Sequence, residues 1–355
     1  STDPNQYNGA LVYVIGTPYY QDNSDSIVSD LTVDGNYPAS LNNIFAWKEN
    51  IGAVSLNGSR CTIRNVKGIN LYGWAFDPST GRTNGAEDFV FVIANPRNPQ
   101  TGVFTLGYGN LIENSEVASS GGTNIDAFNF FTGVRQTPPP LQDESAAGLP
   151  AGIMRKNICR DFPGVSCFGG LGKGIVVDSN RALNSNDGIR SDTGWVLDLS
   201  VTNNFFSISA SAVTLSADGD AIFRRGVIAH NTFQANDVTL SNAASSPWVI
   251  SFKQSPGFVV ENMLIENNRF LYHDLGSHLV PSALVLEGTT PGPQNIQMID
   301  NVLDPIYLMR GKNCPGLDEP LCQIGLSTPT YSGSGNVTTS GLPVTKLNRT
   351  IPPIP

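Results

Sequence analysis

The sequence predicts an all-β solenoid, a stack of coils built from short strands. Three observations predict it. First, an asparagine, once an aspartate, recurs three residues after a mostly apolar residue. The instances are Leu31…Asp34, Thr62…Asn65, Leu111…Asn114, Met154…Asn157, Val177…Asn180, Val201…Asn204, Ile228…Asn231, Ile265…Asn268 and Met298…Asn301. Second, several instances are near copies: Val-Thr-Asn-Asn-Phe-Phe at 201–206, Ile-Ala-His-Asn-Thr-Phe at 228–233 and Ile-Glu-Asn-Asn-Arg-Phe at 265–270. Third, the interval has a floor of roughly two dozen residues and stretches variably above it, the mark of stacked repeats with insertions.

Residues 1–28 precede the repeat and read as an N-terminal arm or cap. Within them Ala10-Leu-Val-Tyr-Val-Ile15 is strand-length and could add a strand to a neighbouring copy. The repeat itself spans 29–336. In the coil from Gly174 to Thr193, a β-branched run leads into Asn180, an alternating stretch ends near Leu183, and a second alternating strand covers Gly188–Asp192. The next coil repeats this with Leu197–Val201, Asn204, Phe205–Ile208 and Ala212–Ser216. Helical periodicity is absent. About ten coils at ~4.8 Å each make a rod of roughly 45 Å.

The recurrent asparagine has a structural role. A sharp bend needs a residue that tolerates left-handed geometry, and stacked amides can bond from coil to coil as a ladder. Phe205, Phe206, Phe233 and Phe270 follow the ladder and read as a stacked core stripe. The insertions Tyr72–Phe104, Thr132–Ile153 and the Pro281 to Pro293 region are expected as loops walling a groove on one side. Residues 337–355 read as a Pro-rich tail.

Charged residues make up only 14% of the chain, the net charge is −9 and the pI is about 4.8. That argues against a nucleic-acid partner, whose phosphates need basic patches. No apolar run reaches the ~18–20 residues of a membrane span. Of five cysteines, Cys314 and Cys322 bracket a short loop and form one candidate pair. Cys159 and Cys167 form the next, leaving Cys61 over. Five buried thiols in a reducing compartment is the competing reading. Asn57-Gly-Ser, Asn336-Val-Thr and Asn348-Arg-Thr fit the N-glycosylation triplet.

Ser-Asp-Leu-Thr-Val-Asp-Gly-Asn at 29–36, followed by the Asn-marked coils to about Asn336, resembles the right-handed parallel β-helix proteins of the pectate-lyase-like superfamily. The resemblance implies a single-stranded parallel β-helix, and a secreted protein acting on or binding polysaccharide. It does not imply one activity, because the superfamily holds lyases, hydrolases, esterases, epimerases, tailspikes and noncatalytic adhesins. The paired-aspartate, Gly-His-Gly and Arg-x-Lys set of polygalacturonases is absent, and so is the Asp-Pro-His-Glu pattern of alginate epimerases.

Aligning coils on the second strand matches Ile189 with Val165, Val213, Val238 and Leu284 as inward residues. The outward face is then mostly Ser, Thr and Asn, broken by charge at Arg190 and Asp192. Asp126 and Asp187 enter the equivalent strand two coils apart when Asp126-Ala-Phe-Asn is matched to Asp187-Gly-Ile-Arg. A hydrolase needs two carboxyl groups ~5–10 Å apart, which Asp126, Asp187 and Asp192 could supply. A lyase needs a base, for which Arg190 and Lys173 are available, with calcium as a candidate cofactor. Asn129 joins this face, and Trp74 and Trp195 could stack on sugar rings, whereas Trp47 and Trp248 read as core or cap residues. Asp218 and Asp220 are weak calcium candidates. The bland alternative makes Arg190–Asp192 a surface ion pair and Asp187-Gly188 a turn.

Two functions remain open. One is a secreted lyase or glycoside hydrolase working in a groove along the outer sheet face. The other is a noncatalytic structural or adhesive protein that self-assembles through its termini and open coil edges.

Overall fold

The structure, a computed structural model, describes residues 11–16, 22–35, 50–73, 76–77, 82–83, 88–95, 100–101, 105–122, 125–131, 148–162, 166–191, 194–216, 222–236, 248–254, 259–273, 281–288, 292–308, 321–325 and 329–352. Among these, strands dominate and the helical element is one 3-10 turn at Pro305–Leu308.

The strands stack in three columns, each strand pairing in parallel with its equivalent one coil away. The first column runs through Thr62–Ile69, Asn110–Glu113, Gly152–Arg155, Ile175–Asp178, Ser200–Thr202, Ile222–Ala229, Val259–Glu266, Gln294–Ile299 and Tyr331–Ser334. The second contains Glu116–Ala118, Ile158–Phe162, the first half of Arg181–Ser191, the first half of Phe205–Ser216, Thr232–Asn236 and Arg269–His273. The third contains Asn50–Asn57, Asp88–Ala94, Ile125–Phe131, Ser166–Lys173, the second halves of the two long strands, Trp248–Gln254, Ser282–Gly288 and Leu321–Gly325.

The corner between the first and second columns explains the repeat. Asn157, Asn180, Asn204, Asn231, Asn268, Asn301 and Asn336 are buried. Each accepts on Oδ1 from the backbone N–H of the preceding rung, as from Asn180 N to Asn204 Oδ1 at 2.8 Å. Each Nδ2 donates on to the next amide, and the chain of bonds ends at Asn348. The left-handed residue is not the ladder asparagine but the one before it. Lys156, Ser179, Asn203, His230, Asn267 and Asp300 have φ between 53° and 57°. Asn65 and Asn114 occupy this bend position instead of the ladder. The rungs there are Val66 N–H and Ser115 Oγ. Asp34 is elsewhere again, accepting from Asn70 Nδ2.

Phe91, Phe128, Phe168, Phe206, Phe233, Phe270 and Tyr307 stack in sequence with centroids 5.2–6.4 Å apart. Phe205 is outside this stripe; its strand position faces outward, with the Arg181 guanidinium over its ring. The Tyr72–Phe104 segment is not all excursion. Its Phe-Val-Phe-Val-Ile run forms Asp88–Ala94, a buried third-column strand.

Leu11–Gly16 pairs in parallel with Asn50–Asn57 of the same chain, and Ile27–Asp34 already stacks on Thr62–Ile69. Past 336, Val337–Thr338 stacks on Val302–Leu303, and Thr350–Ile351 turns back antiparallel on Tyr331–Ser332. Tyr331 Oη donates to the Leu347 carbonyl at 2.7 Å beneath it.

Cys159 and Cys167 form a disulfide and Cys61 is free and buried. Cys322 is disulfide-bonded, and Cys314 lies outside the described residues. The glycosylation triplets are poorly placed for a glycan: Asn57 and Asn336 are buried, and Asn348 exchanges hydrogen bonds with Asn336 in both directions.

Candidate functional site

The third column carries the candidate residues on its outer face. Register places Asp126 opposite Ser166, with Asp187 at the same position one coil further, and Asp187 opposite Ser211. Three residues along, Asn129, Gly169, Arg190, Thr214, Ser251 and Val285 form the parallel row. Beyond it lie Ser216, Lys253 and Glu287.

Asp187, Arg190, Ser211, Trp248, Lys253 and Glu287 line one cleft of about 280 Å³. Asp187 is 7% exposed. Burial pushes its carboxyl up to about 6, against the lowering pull of Arg190 and the Ser211 N–H. Its Oδ1 accepts from that N–H at 2.8 Å, and Oδ2 stands 3.9 Å from Arg190 Nη1. The neighbour Ser211 Oγ donates to the Trp248 carbonyl, holding adjacent coils together under the cleft. Lys253 Nζ and Glu287 Oε1 pair at 3.9 Å on the facing rim. A carboxyl near pH 6 beside a cleft can give a proton to a leaving oxygen in mildly acidic water.

The other sequence candidates are distributed differently. Asp126 accepts from Ser166 Oγ at 2.7 Å and from Asn129 Nδ2 at 2.9 Å, on the same column, outside the set lining the cleft. Lys173 pairs with Leu197 at the strand's far end, away from Arg190. Trp195 does not face a groove. It is 2% exposed and packed with Leu197, Leu106 and Ile222, so its ring has no open face for a sugar. Asp192, Trp74, Asp218 and Asp220 lie outside the described residues. No group of three or more His, Cys, Asp or Glu gathers to hold a metal among the described residues.

Lys253 was not singled out by the sequence, whereas Glu287 aligns there with Ser216 on the outward face, as the structure has it. Trp248, read there as core or cap, is half-buried and lines the cleft while packing on Val285 and Cys322. The alignment had put Val238 opposite Val213 and Val165 opposite Ile189, whereas the structure puts Ile250 and Phe168 there. The insertion displaced the true strand by a dozen residues, and its polar positions were missed with it. Pairing Val213 with the Trp-Val-Ile-Ser-Phe-Lys run would have found them.

No protein family and no curated protein sequence matches this chain. Among solved structures, a hyperthermoactive exopolygalacturonase from Thermotoga maritima is similar, with a TM-score of 0.37 and 12% identity over 83% of this chain. So is PfbA, a surface adhesin of Streptococcus pneumoniae, with a TM-score of 0.43 and 12% identity over 93% of this chain and 75% of its own. The catalytic domain of a GH87 alpha-1,3-glucanase gives a TM-score of 0.28 at 12% identity over 94% of this chain. This chain is a parallel β-helix protein. The β-helix spans 56% of the exopolygalacturonase and 62% of the glucanase domain. No helix among the described residues is long and apolar enough to cross a membrane.

Proposed function

We propose that this β-helix is a secreted carbohydrate-active protein that hydrolyses a glycosidic bond in the cleft over Asp187. Asp187 is the general acid. The observation that carries the reading is a nearly buried carboxyl, held up to about 6, on the floor of an open cleft. Glu287 lines the far rim of the same cleft, three coils and five residues from Asp187, too far to act with it on one bond, and Trp248 offers an apolar edge for a sugar ring. Asp126 stands two coils from Asp187, an axial offset of ~9.6 Å. Hydrolysis is favoured over elimination, since a guanidinium is a poor proton acceptor and, among the described residues, the cleft offers no other base beside Asp187 than Arg190 and Lys253. Export is supported by the buried Cys159–Cys167 disulfide, which suits an oxidising compartment.

A polysaccharide panel scored for new reducing ends tests the reading. Asp187→Asn should lower the rate by a hundredfold or more, with the fold retained. A wild-type rate in that variant would remove the assignment.

A noncatalytic adhesive protein is the second reading, and the Ser211, Thr214, Ser216 and Ser251 lining favours it, as these side chains carry no acid or base. Glycan binding without cleavage would select it. Self-assembly through Ala10–Ile15 has less to rest on, because Leu11–Gly16 is already paired within the chain.

A further inference from the structure

Away from the cleft, the outer face of the first column carries a pattern that hydrolysis does not use. Most of its strands turn two residues outward around a buried one, as Leu111 and Glu113 flank Ile112. Register lines the first of these into a row of Ile27, Thr62, Leu111, Ile153, Val176 and Ser200. It lines the second into a row of Ser29, Arg64, Glu113, Arg155, Asp178 and Thr202. The first row is mostly apolar, and the second alternates in sign from Arg64 to Asp178. Ile153, at the centre of the apolar row, is 38% exposed, and Ile27 at its end is 61% exposed. A continuous apolar row left open to water marks a surface that another surface covers.

Neighbouring coils use the alternation of charge, and Arg155 Nη2 stands 2.7 Å from Glu113 Oε2. The same alternation makes the face complementary to itself when turned over. A two-fold axis along the strand direction, between the coils of Glu113 and Arg155, reverses the order of coils and keeps each row on its own row. Glu113 then faces the Arg155 of a second copy, and Arg64 faces its Asp178. Leu111 faces Ile153, and Thr62 faces Val176. Each contact occurs twice, as a two-fold interface requires. Moving the axis by half a coil sets Glu113 against Glu113 and Arg64 against Arg155, which repel. A two-fold along the stack, centred between the rows, sets the apolar row against the charged one.

We propose that the first-column face from Ile27 to Thr202 is a contact between two copies of this chain, with their stacks antiparallel. The apolar row supplies the attraction, and the charged row fixes the register. The charges are exposed, so they add selectivity more than strength. Six coils at ~4.8 Å and four residues at ~3.3 Å give a footprint on the order of 400 Å² on each copy. That is about half of a standard interface, so the dimer is weak and depends on concentration.

Sedimentation velocity of the full chain from about 5 μM to about 1 mM tests this, a range suited to so small a contact. Wild type should pass from monomer to dimer across it. Ile153→Glu sets a charge against Leu111 of the other copy. It should weaken association tenfold or more and leave the melting temperature of the dilute monomer unchanged. Arg64→Glu meets Asp178 with a like charge and should weaken association too. Leu264→Glu lies on the same row beyond the paired coils and should dimerise as wild type does. The cleft is on the third column, so hydrolysis should be unchanged in all three variants, whatever becomes of the dimer. A wild type that stays monomeric throughout overturns the proposal, and so does Ile153→Glu associating as tightly as wild type. Equal loss in Leu264→Glu overturns the placement of the axis. A monomer that Ile153→Glu destabilises puts a segment of the same chain on this face instead.

Discussion

Asp187 gives the sharpest residue-scale expectation, because burial opposes its charge. Its folded-state carboxyl titrates near 6, against an ordinary 3.8. The folded chain therefore holds the proton more tightly than the unfolded chain. The stability this lends is complete below about pH 4 and lost as pH rises through about 6. Asp187→Asn should then be more stable than wild type at pH 8, by up to about 3 kcal/mol, and no more stable at pH 4. Thermal melts at the two pH values decide it. A variant less stable at pH 8 would mean that Arg190 and the Ser211 N–H outweigh desolvation. Catalysis runs on the same proton, so kcat/KM should fall on the alkaline side of about pH 6. A ladder asparagine behaves oppositely. Asn231 is buried, accepts from Asn204 and donates to Val201 and Asn268. Asn231→Ala leaves those groups unpaired inside the corner and should cost about 2–4 kcal/mol at any pH. Urea melts of Asn231→Ala that match wild type would show the ladder to be ornamental.

At the scale of elements, the first column and its corner were legible because every coil repeats the same demand. A left-handed residue must precede a buried amide, and Asn203-Asn204 or Asn267-Asn268 display both. The early coils misled by one residue, since Asn65 and Asn114 satisfy the bend while Val66 and Ser115 take the rung. The third column was legible only where insertions are short. Asp126, Asn129, Asp187 and Arg190 align as the sequence placed them, while Trp248 and Lys253 were hidden by the insertion before them. Nothing in an unaligned sequence reports whether a Trp faces a cleft or a satellite cluster, which is why Trp195 and Trp248 exchange roles. The Cys159–Cys167 bridge ties the second column to the third within one coil, next to Ser166, which donates to Asp126. Replacing both cysteines with alanine should cost about 2–4 kcal/mol. Equal melts for wild type and variant under oxidising conditions would show that the coil is held by its packing alone.

For the whole molecule, the decisive feature is how a stack of identical strands stops. A parallel coil offers its last backbone groups to any further strand, and an uncovered edge invites association. Here the chain folds back on itself. Asn348 takes the final rung from Asn336, Thr350–Ile351 pairs antiparallel with Tyr331–Ser332, and Val344 and Leu347 cover the end of the core. Removing residues 341–355 should therefore do two things at once. It deprives Asn336 and the Leu347-bonded Tyr331 hydroxyl of their partners, lowering the melting temperature by several degrees for a loss of about 1–3 kcal/mol per group left unpaired. It also opens the terminal edge, so the shortened chain should form concentration-dependent oligomers in light scattering while the full chain stays smaller. Adding Lys to the exposed edge, as Ser332→Lys in the shortened chain, should reverse the association without restoring the melting temperature. A shortened chain that remains monomeric and melts like the full one would show that the cap neither seals nor stabilises the stack.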